Sequence, residues 1–178
     1  MKNTILSLVV GITAASSAFA GTEVSHKDFK SPAPLPEPCF RDTEFQFDTF
    51  GSFTDNSHHS IYRDGWGGGV SLNVFFARYF GLSAEGNVYD GGANGVWNPD
   101  ARLIVRYPIE GGAFCWAPYI FGGGGAQFDG TSSGSWHVGS GAEWRVTREF
   151  GIFYEGRYTW TAQSNDAAQY RLGVRFTF

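Results

Sequence analysis

The chain has 178 residues and a formal charge of −4, with 13 Lys and Arg against 17 Asp and Glu. That balance offers no basic face for nucleic acid. Glycine, at 25 residues, stands at about twice its ordinary share, yet 17% of residues are aromatic; linkers rich in glycine lack such rings, so the composition points to strands. Beyond the first twenty residues no run approaches the ~18 apolar residues of a membrane helix, so a membrane protein is left only the closed barrel.

Residues 1–20 read as an export signal. Lys2 gives the positive start, an apolar run extends from Ile5 to Ala15, and Ala18-Phe19-Ala20 puts small residues where a signal peptidase reads. The run is too short to span a bilayer, and no Cys follows to carry a lipid anchor. Residues 21–42 form a Pro-rich periplasmic leader. Ser31–Pro38 holds four prolines in eight residues and predicts an extended polyproline stretch.

From 43 to 178 a period-two alternation hardly stops, and helical periodicity is absent. It predicts an all-β, eight-stranded antiparallel up-and-down transmembrane barrel. The first strand is Thr43–Phe53, with Phe45, Phe47, Thr49 and Phe53 against Glu44, Gln46, Asp48 and Phe50. The second, Asp64–Phe76, sets Trp66, Val70, Leu72, Val74 and Phe76 against Gly67, Gly69, Ser71 and Asn73. A tight turn leads to the third, Phe80–Tyr89, and the fourth, Asn98–Tyr107, is expected to end at Pro108.

The fifth, Trp116–Phe128, is blurred by Gly122 to Gly125; Ile120, Ala126 and Phe128 are assigned outward. The sixth, Ser135–Val146, and the seventh, Phe150–Trp160, alternate cleanly. The eighth, Ala167–Phe178, ends in "YRLGVRFTF". Polar connections after strands one, three, five and seven and tighter ones after strands two and six predict long outer loops and short periplasmic turns.

If the apolar row faces lipid, the other row carries Glu44, Asp48, Glu85, Glu143 and Glu155 with Arg102, Arg106, Arg145, Arg157, Arg171 and Arg175, and Asp100 as a further candidate acid. A pore would show one dominant sign. Near balance in a barrel narrow enough to be filled by side chains predicts a paired interior. A soluble lipocalin-type barrel would swap the rows. The rings argue against it. Trp66, Tyr89, Trp97, Trp136, Tyr158, Trp160 and Tyr170 fall near one set of strand ends. Phe76, Tyr79, Phe80, Tyr107, Trp116, Trp144, Phe150 and Phe178 fall near the other, as at two membrane interfaces.

Residues 43–178 resemble the small OmpA/OmpX-like outer-membrane barrels, opacity-type barrels among them. The resemblance rests on the alternating strands, the hairpins "ARYFGLSAEG" and "GSGAEWRVTREFGIFYEGRYTW", and the closing "YRLGVRFTF". It implies a location in the outer membrane of a Gram-negative cell envelope, with its lipids as surroundings. It also implies that the last strand, with Tyr170, Phe176 and the final Phe178, is the signal read by the barrel-assembly machinery.

Cys39 and Cys115, the only cysteines, fall at the periplasmic rim. In that oxidising compartment a disulfide is expected, stapling the leader beneath the barrel, although strands one and five stand on opposite sides. His58 and His59 point apart on an extended loop and read as a solvated tip rather than metal ligands. The same holds for Asp55 and Asn56 toward calcium.

His137 and Ser140 differ in parity, and Gly139 stands where lipid A deacylases carry serine two residues after the histidine. His137 is therefore placed in the charged interior with Glu143 and Arg145. The run Gly122 to Gly125 lacks the helix and Lys of a phosphate loop and is read as room for Phe50, Phe75 or Phe153. The sequence thus predicts no enzyme, cofactor or metal. It predicts a structural or surface-interaction role, by adhesion or by binding a surface ligand or host factor through the loops. A narrow, porin-like small-solute channel is the alternative, and a lipid A-modifying enzyme a third reading.

Overall fold

Alternation of period two turns every second side chain to one face. In the computed structural model, which describes residues 38–56, 63–91, 95–111, 114–128, 132–162 and 166–178, each alternating stretch is a strand. In chain order these are β1 (Glu44–Asn56), β2 (Gly65–Ala77), β3 (Phe80–Asp90), β4 (Gly95–Arg106), β5 (Ile109–Gly111), β6 (Phe114–Phe128), β7 (Ser132–Arg145), β8 (Phe150–Thr161) and β9 (Ala167–Thr177). The sheet runs β4-β3-β2-β1-β9-β8-β7-β6, and β4 pairs with β6, so it closes on itself and leaves no edge.

β5 continues the β4 wall. Arg106 lies opposite Tyr119 and Ile109 opposite Trp116, in one register across Tyr107-Pro108. β4 thus ends ahead of Pro108, as expected, but its wall resumes beyond the proline. Pro108 lacks a donor and only interrupts the ladder, while Tyr107 N–H still reaches Pro118 O at 2.8 Å. The result is a closed barrel of eight antiparallel walls.

The register fixes its width. Following opposed residues around the ring, from Glu44 through Phe75, Gly81, Ile104, Phe121, Gly139, Arg157 and Gln169, leads back to β1 at Thr54, ten residues from the start. For eight strands that stagger gives a tilt of about 40° and a radius of about 8 Å. Every member of the circuit lies on the inner row, and a bore this narrow is closed by side chains.

The apolar row is the outer one. Trp66 is 75% exposed and Leu172 63%, while Gln46, Asp48, Glu143 and Glu155 are at 0%. A soluble barrel has the opposite arrangement. The glycine-blurred β6 keeps the expected parity: Ile120 and Phe128 are exposed, and Tyr119, Phe121 and Gln127 are buried.

Rings pair along both rims. Trp97 meets Phe128 at 5.5 Å and Tyr158 meets Trp160 at 4.9 Å at one end; Phe45 meets Phe178 at 6.2 Å and Phe150 meets Phe176 at 5.6 Å at the other. Tyr89 departs from expectation. It is buried inside, where its hydroxyl accepts from Gln127 Nε2 at 3.1 Å. Its odd number in β3 puts it on the inner row.

Several strands run past the expected apolar band, β1 to Asn56 and β3 to Asp90, because backbone pairing continues into polar sequence. The expected loops shrink accordingly: only 91–94 separate β3 from β4 and only 129–131 separate β6 from β7. His58 and His59 lie outside the described residues. Asn56 is engaged in the hairpin, donating from Nδ2 to Arg63 O at 2.7 Å.

Interior rings need glycines opposite them, but not the run at 122–125. The atoms nearest a Cβ on Gly81 would be those of the Phe75 ring, at 2.9 to 3.0 Å, and a Cβ on Gly173 would meet Thr49 O at 2.5 Å and the Phe153 ring at 2.7 Å. Gly122 and Gly124 face outward, while a Cβ on Gly123 would strike Ala101 O at 2.1 Å and one on Gly125 would strike Pro99 O at 2.2 Å. At these two inward positions the run lets the β4 backbone approach closely. The Gly81→Ala substitution is expected to cost about 1–3 kcal/mol by overpacking. Phe75→Leu in the same chain should recover most of that loss, because the ring is what stands nearest the new methyl. Urea unfolding of the single and double variants in lipid vesicles checks this.

Candidate functional site: a filled, charged interior

The inner row brings the charged side chains together in two groups. Near the rim where β1 begins and β9 ends, Glu44 accepts from Arg106 Nη1 at 2.7 Å and from Arg145 Nη1 and Nη2 at 3.0 and 2.7 Å. Arg145 Nε and Arg175 Nη1 each donate to Glu143 at 2.7 Å. Arg175 also forks onto Asp48 through Nε and Nη2, both at 2.7 Å, and Ser71 and Asn73 add donors to Asp48 Oδ2. Three carboxylates thus meet three guanidiniums.

The second group sits at mid-barrel. Arg171 forks onto Glu85 at 2.7 and 2.5 Å. Arg157 Nη1 donates to Glu85 at 3.2 Å and to Asp100 at 2.8 Å. Arg102 Nη1 and the Tyr119 hydroxyl donate to the two oxygens of Glu155 at 2.8 and 2.9 Å. Again three acids, Glu85, Asp100 and Glu155, meet three bases.

Rings separate and support the groups. Arg106 lies over Phe75 at 3.7 Å, Arg102 over Phe121 at 4.6 Å, Arg171 over Phe50 at 4.6 Å and Arg175 over Phe153 at 4.8 Å. Removing a charge from water costs several kcal/mol, so burial on this scale is tolerable only with near-complete pairing. Local neutrality in each group meets that requirement, and the same side chains close the bore.

Beyond the second group, Thr54, Asp100, His137, Arg157, Thr159 and Gln169 line a polar well with free volume of about 20 Å³, the space of a single water. His137 lies here, with Nε2 3.9 Å from Asp100 Oδ1. The expected grouping with Glu143 and Arg145 fails because six residues along a strand separate the two levels. Ser140 is exposed on the outer face, so it and the buried His137 stand on opposite sides of the wall.

At the rim where β1 begins and β9 ends, Cys39 is bonded to Cys115, with Cα atoms 6.1 Å apart. β6 is four walls from β1 in either direction, so residues 39–43 cross the mouth to make this bond. Phe40, at 0% exposure, lies under the strap with the guanidiniums of Arg145 and Arg106 4.2 and 5.1 Å from its ring centre. Arg145 Nη1 donates to Cys39 O at 2.5 Å and Arg106 Nη2 to Arg41 O at 3.2 Å. Phe40 precedes the alternating region and Tyr119 lies in its most blurred strand, so neither gave a periodic signal of its role. The inner parity shared with Phe121 was the available clue to Tyr119.

Tyr170, Phe176 and Phe178 all lie on the outer face of the β9 stretch. Phe178 N–H donates to Phe45 O at 2.8 Å, so the last residue is joined to the first wall.

No family model and no curated protein matches this chain. Solved structures do. The N-terminal β-barrel domain of Pseudomonas aeruginosa OprF aligns with a TM-score of 0.59 at 17% identity, over 76% of this chain and 97% of that one. The outer membrane protein OprG of the same organism aligns with a TM-score of 0.54 at 12% identity, over 80% and 99%. The fold is that of a small outer-membrane β-barrel. Neisserial surface protein A adds a third likeness, with a TM-score of 0.52 at 13% identity over 78% and 98%. Identities this low speak for architecture, which agrees with the resemblance drawn from the hairpins and the last strand.

Proposed function

We propose that the chain is an exported outer-membrane barrel with a structural or surface-interaction role, and that solutes do not pass through it. The carrying observation is the bore itself, filled by two neutral groups of six charged side chains each and by the rings beneath them. The outward apolar row and two ring-lined rims suit a bilayer. Likeness in fold to Neisserial surface protein A supports a role in contact at the cell surface. On this reading residues 1–20 direct export, the surrounding lipids bind the outer row, and Tyr170, Phe176 and Phe178 are the feature the barrel-assembly machinery recognises.

Two measurements test it. In unboiled gel electrophoresis of membrane fractions the folded band should shift on heating; a band that does not move removes the barrel reading. In planar bilayers the purified protein should give no steady conductance. Large, long-lived channels would instead favour the small-solute channel.

A further inference from the structure

The disulfide joins parts that the walls do not need joined. β1 and β6 are each held by ladders on both sides. What the bond fixes is the strap across the mouth. We propose that the strap is a redox-releasable lid, latched by Cys39–Cys115 over an arginine-lined mouth and freed when a dithiol of the thiol–disulfide oxidoreductase class reduces that bond.

The surface beneath the strap is the first reason. An element built to stay covers apolar side chains that water would penalise. Apart from Ala117 and Cys115, against which Phe40 packs, this one covers Arg106, Arg145 and Glu44, which form a charge-balanced group with Glu143, Asp48 and Arg175 without any strap residue. When the strap leaves, water replaces the two strap carbonyls as acceptors for the arginines.

The second reason is how little else holds the strap. Its non-covalent anchors are the Phe40 ring and four hydrogen bonds. Two are the arginine bonds to Cys39 O and Arg41 O; the others are Phe40 N–H to Glu110 at 3.1 Å and Arg41 N–H to Glu44 at 2.6 Å. Ordering five residues costs about as much as one ring and four such bonds return. The covalent latch decides the balance.

Access is the third. Cys39 is half-buried and Cys115 is buried at 7%. An incoming thiolate reaches Sγ of Cys39, forms a mixed disulfide there and expels Cys115 as thiolate, which takes up a proton. The second thiol of the reductant then displaces Cys39. Two electrons and two protons enter, two cysteine thiols form and the reductant leaves as its disulfide. Reoxidation closes the latch.

The test uses the full mature chain refolded in phospholipid nanodiscs, oxidised or treated with dithiothreitol, together with Cys115→Ser. Hydrogen exchange at the Phe40 and Arg41 amides is expected to quicken at least about tenfold on reduction and in Cys115→Ser, while β1 and β8 amides keep their protection. Reoxidation of the wild-type chain should restore slow exchange. Strap amides that stay protected without the bond would overturn the lid. So would loss of protection in β1 and β8 together with the strap, since the bond would then be stapling the barrel. Because the strand amides report separately, failure of the lid is distinguishable from failure of the barrel reading.

Discussion

Replacing Glu85 with Ala is expected to lower the stability of the folded barrel by about 3–5 kcal/mol, as expected when one partner of a buried ionic group is lost. Glu85 is the shared acceptor of the mid-barrel group, within 4 Å of Arg171, Arg157 and Arg102. Without it, Asp100 and Glu155 face three buried guanidiniums, and one positive charge has no counterpart. Arg157→Ala and Glu143→Ala belong to the same class and should each cost more than any single change in a connecting loop. The informative companion is Glu85→Met with Arg171→Met. It removes one charge of each sign and leaves Asp100 and Glu155 against Arg102 and Arg157. The double variant should therefore be more stable than Glu85→Ala alone, although it lacks more of the native hydrogen bonds. Urea unfolding in lipid vesicles gives the comparison. A Glu85→Ala midpoint equal to wild type would show that pairing does not hold the interior.

The two-group arrangement also marks how far the sequence can be read. Parity is a one-dimensional property, so the rows and the walls follow from alternation, and the rings at both ends turn the row of Arg102, Arg106, Arg145, Arg157, Arg171 and Arg175 inward. Which inward residue meets which depends on the stagger, which alternation does not carry. His137 shows the difference: parity turns it inward and suggests Glu143 and Arg145 as companions, whereas the stagger sets it beside Asp100. The glycines show it again. Gly81 serves Phe75 from the next wall, directly opposite, and no count along one strand pairs them. Phe40 was least legible of all, because its place depends on a covalent crossing of the mouth rather than on any pattern.

The outer row makes the sharpest claim about the surroundings of the chain, and Leu172→Arg tests it. Leu172 is 63% exposed on β9, between the ring-lined rims, directly opposite Tyr154 and Gly51 on the neighbouring walls. On a protein surrounded by water, exchanging so exposed a leucine for arginine would change stability by only about 0.5 kcal/mol either way. Facing hydrocarbon, the same change is expected to cost about 2–4 kcal/mol, falling toward zero at the interfaces. The neighbouring position gives the complementary test. Arg171→Leu removes a buried charge paired with Glu85 and Glu155 and should also destabilise, although it makes the strand more apolar. Asp55→Arg, at an exposed position near the distal end of β1, should be almost neutral. Loss at both 171 and 172 with opposite changes in polarity, and none at 55, is what a wall with lipid outside and counter-charges inside requires. A neutral or stabilising Leu172→Arg in vesicles would mean that the outer row meets water.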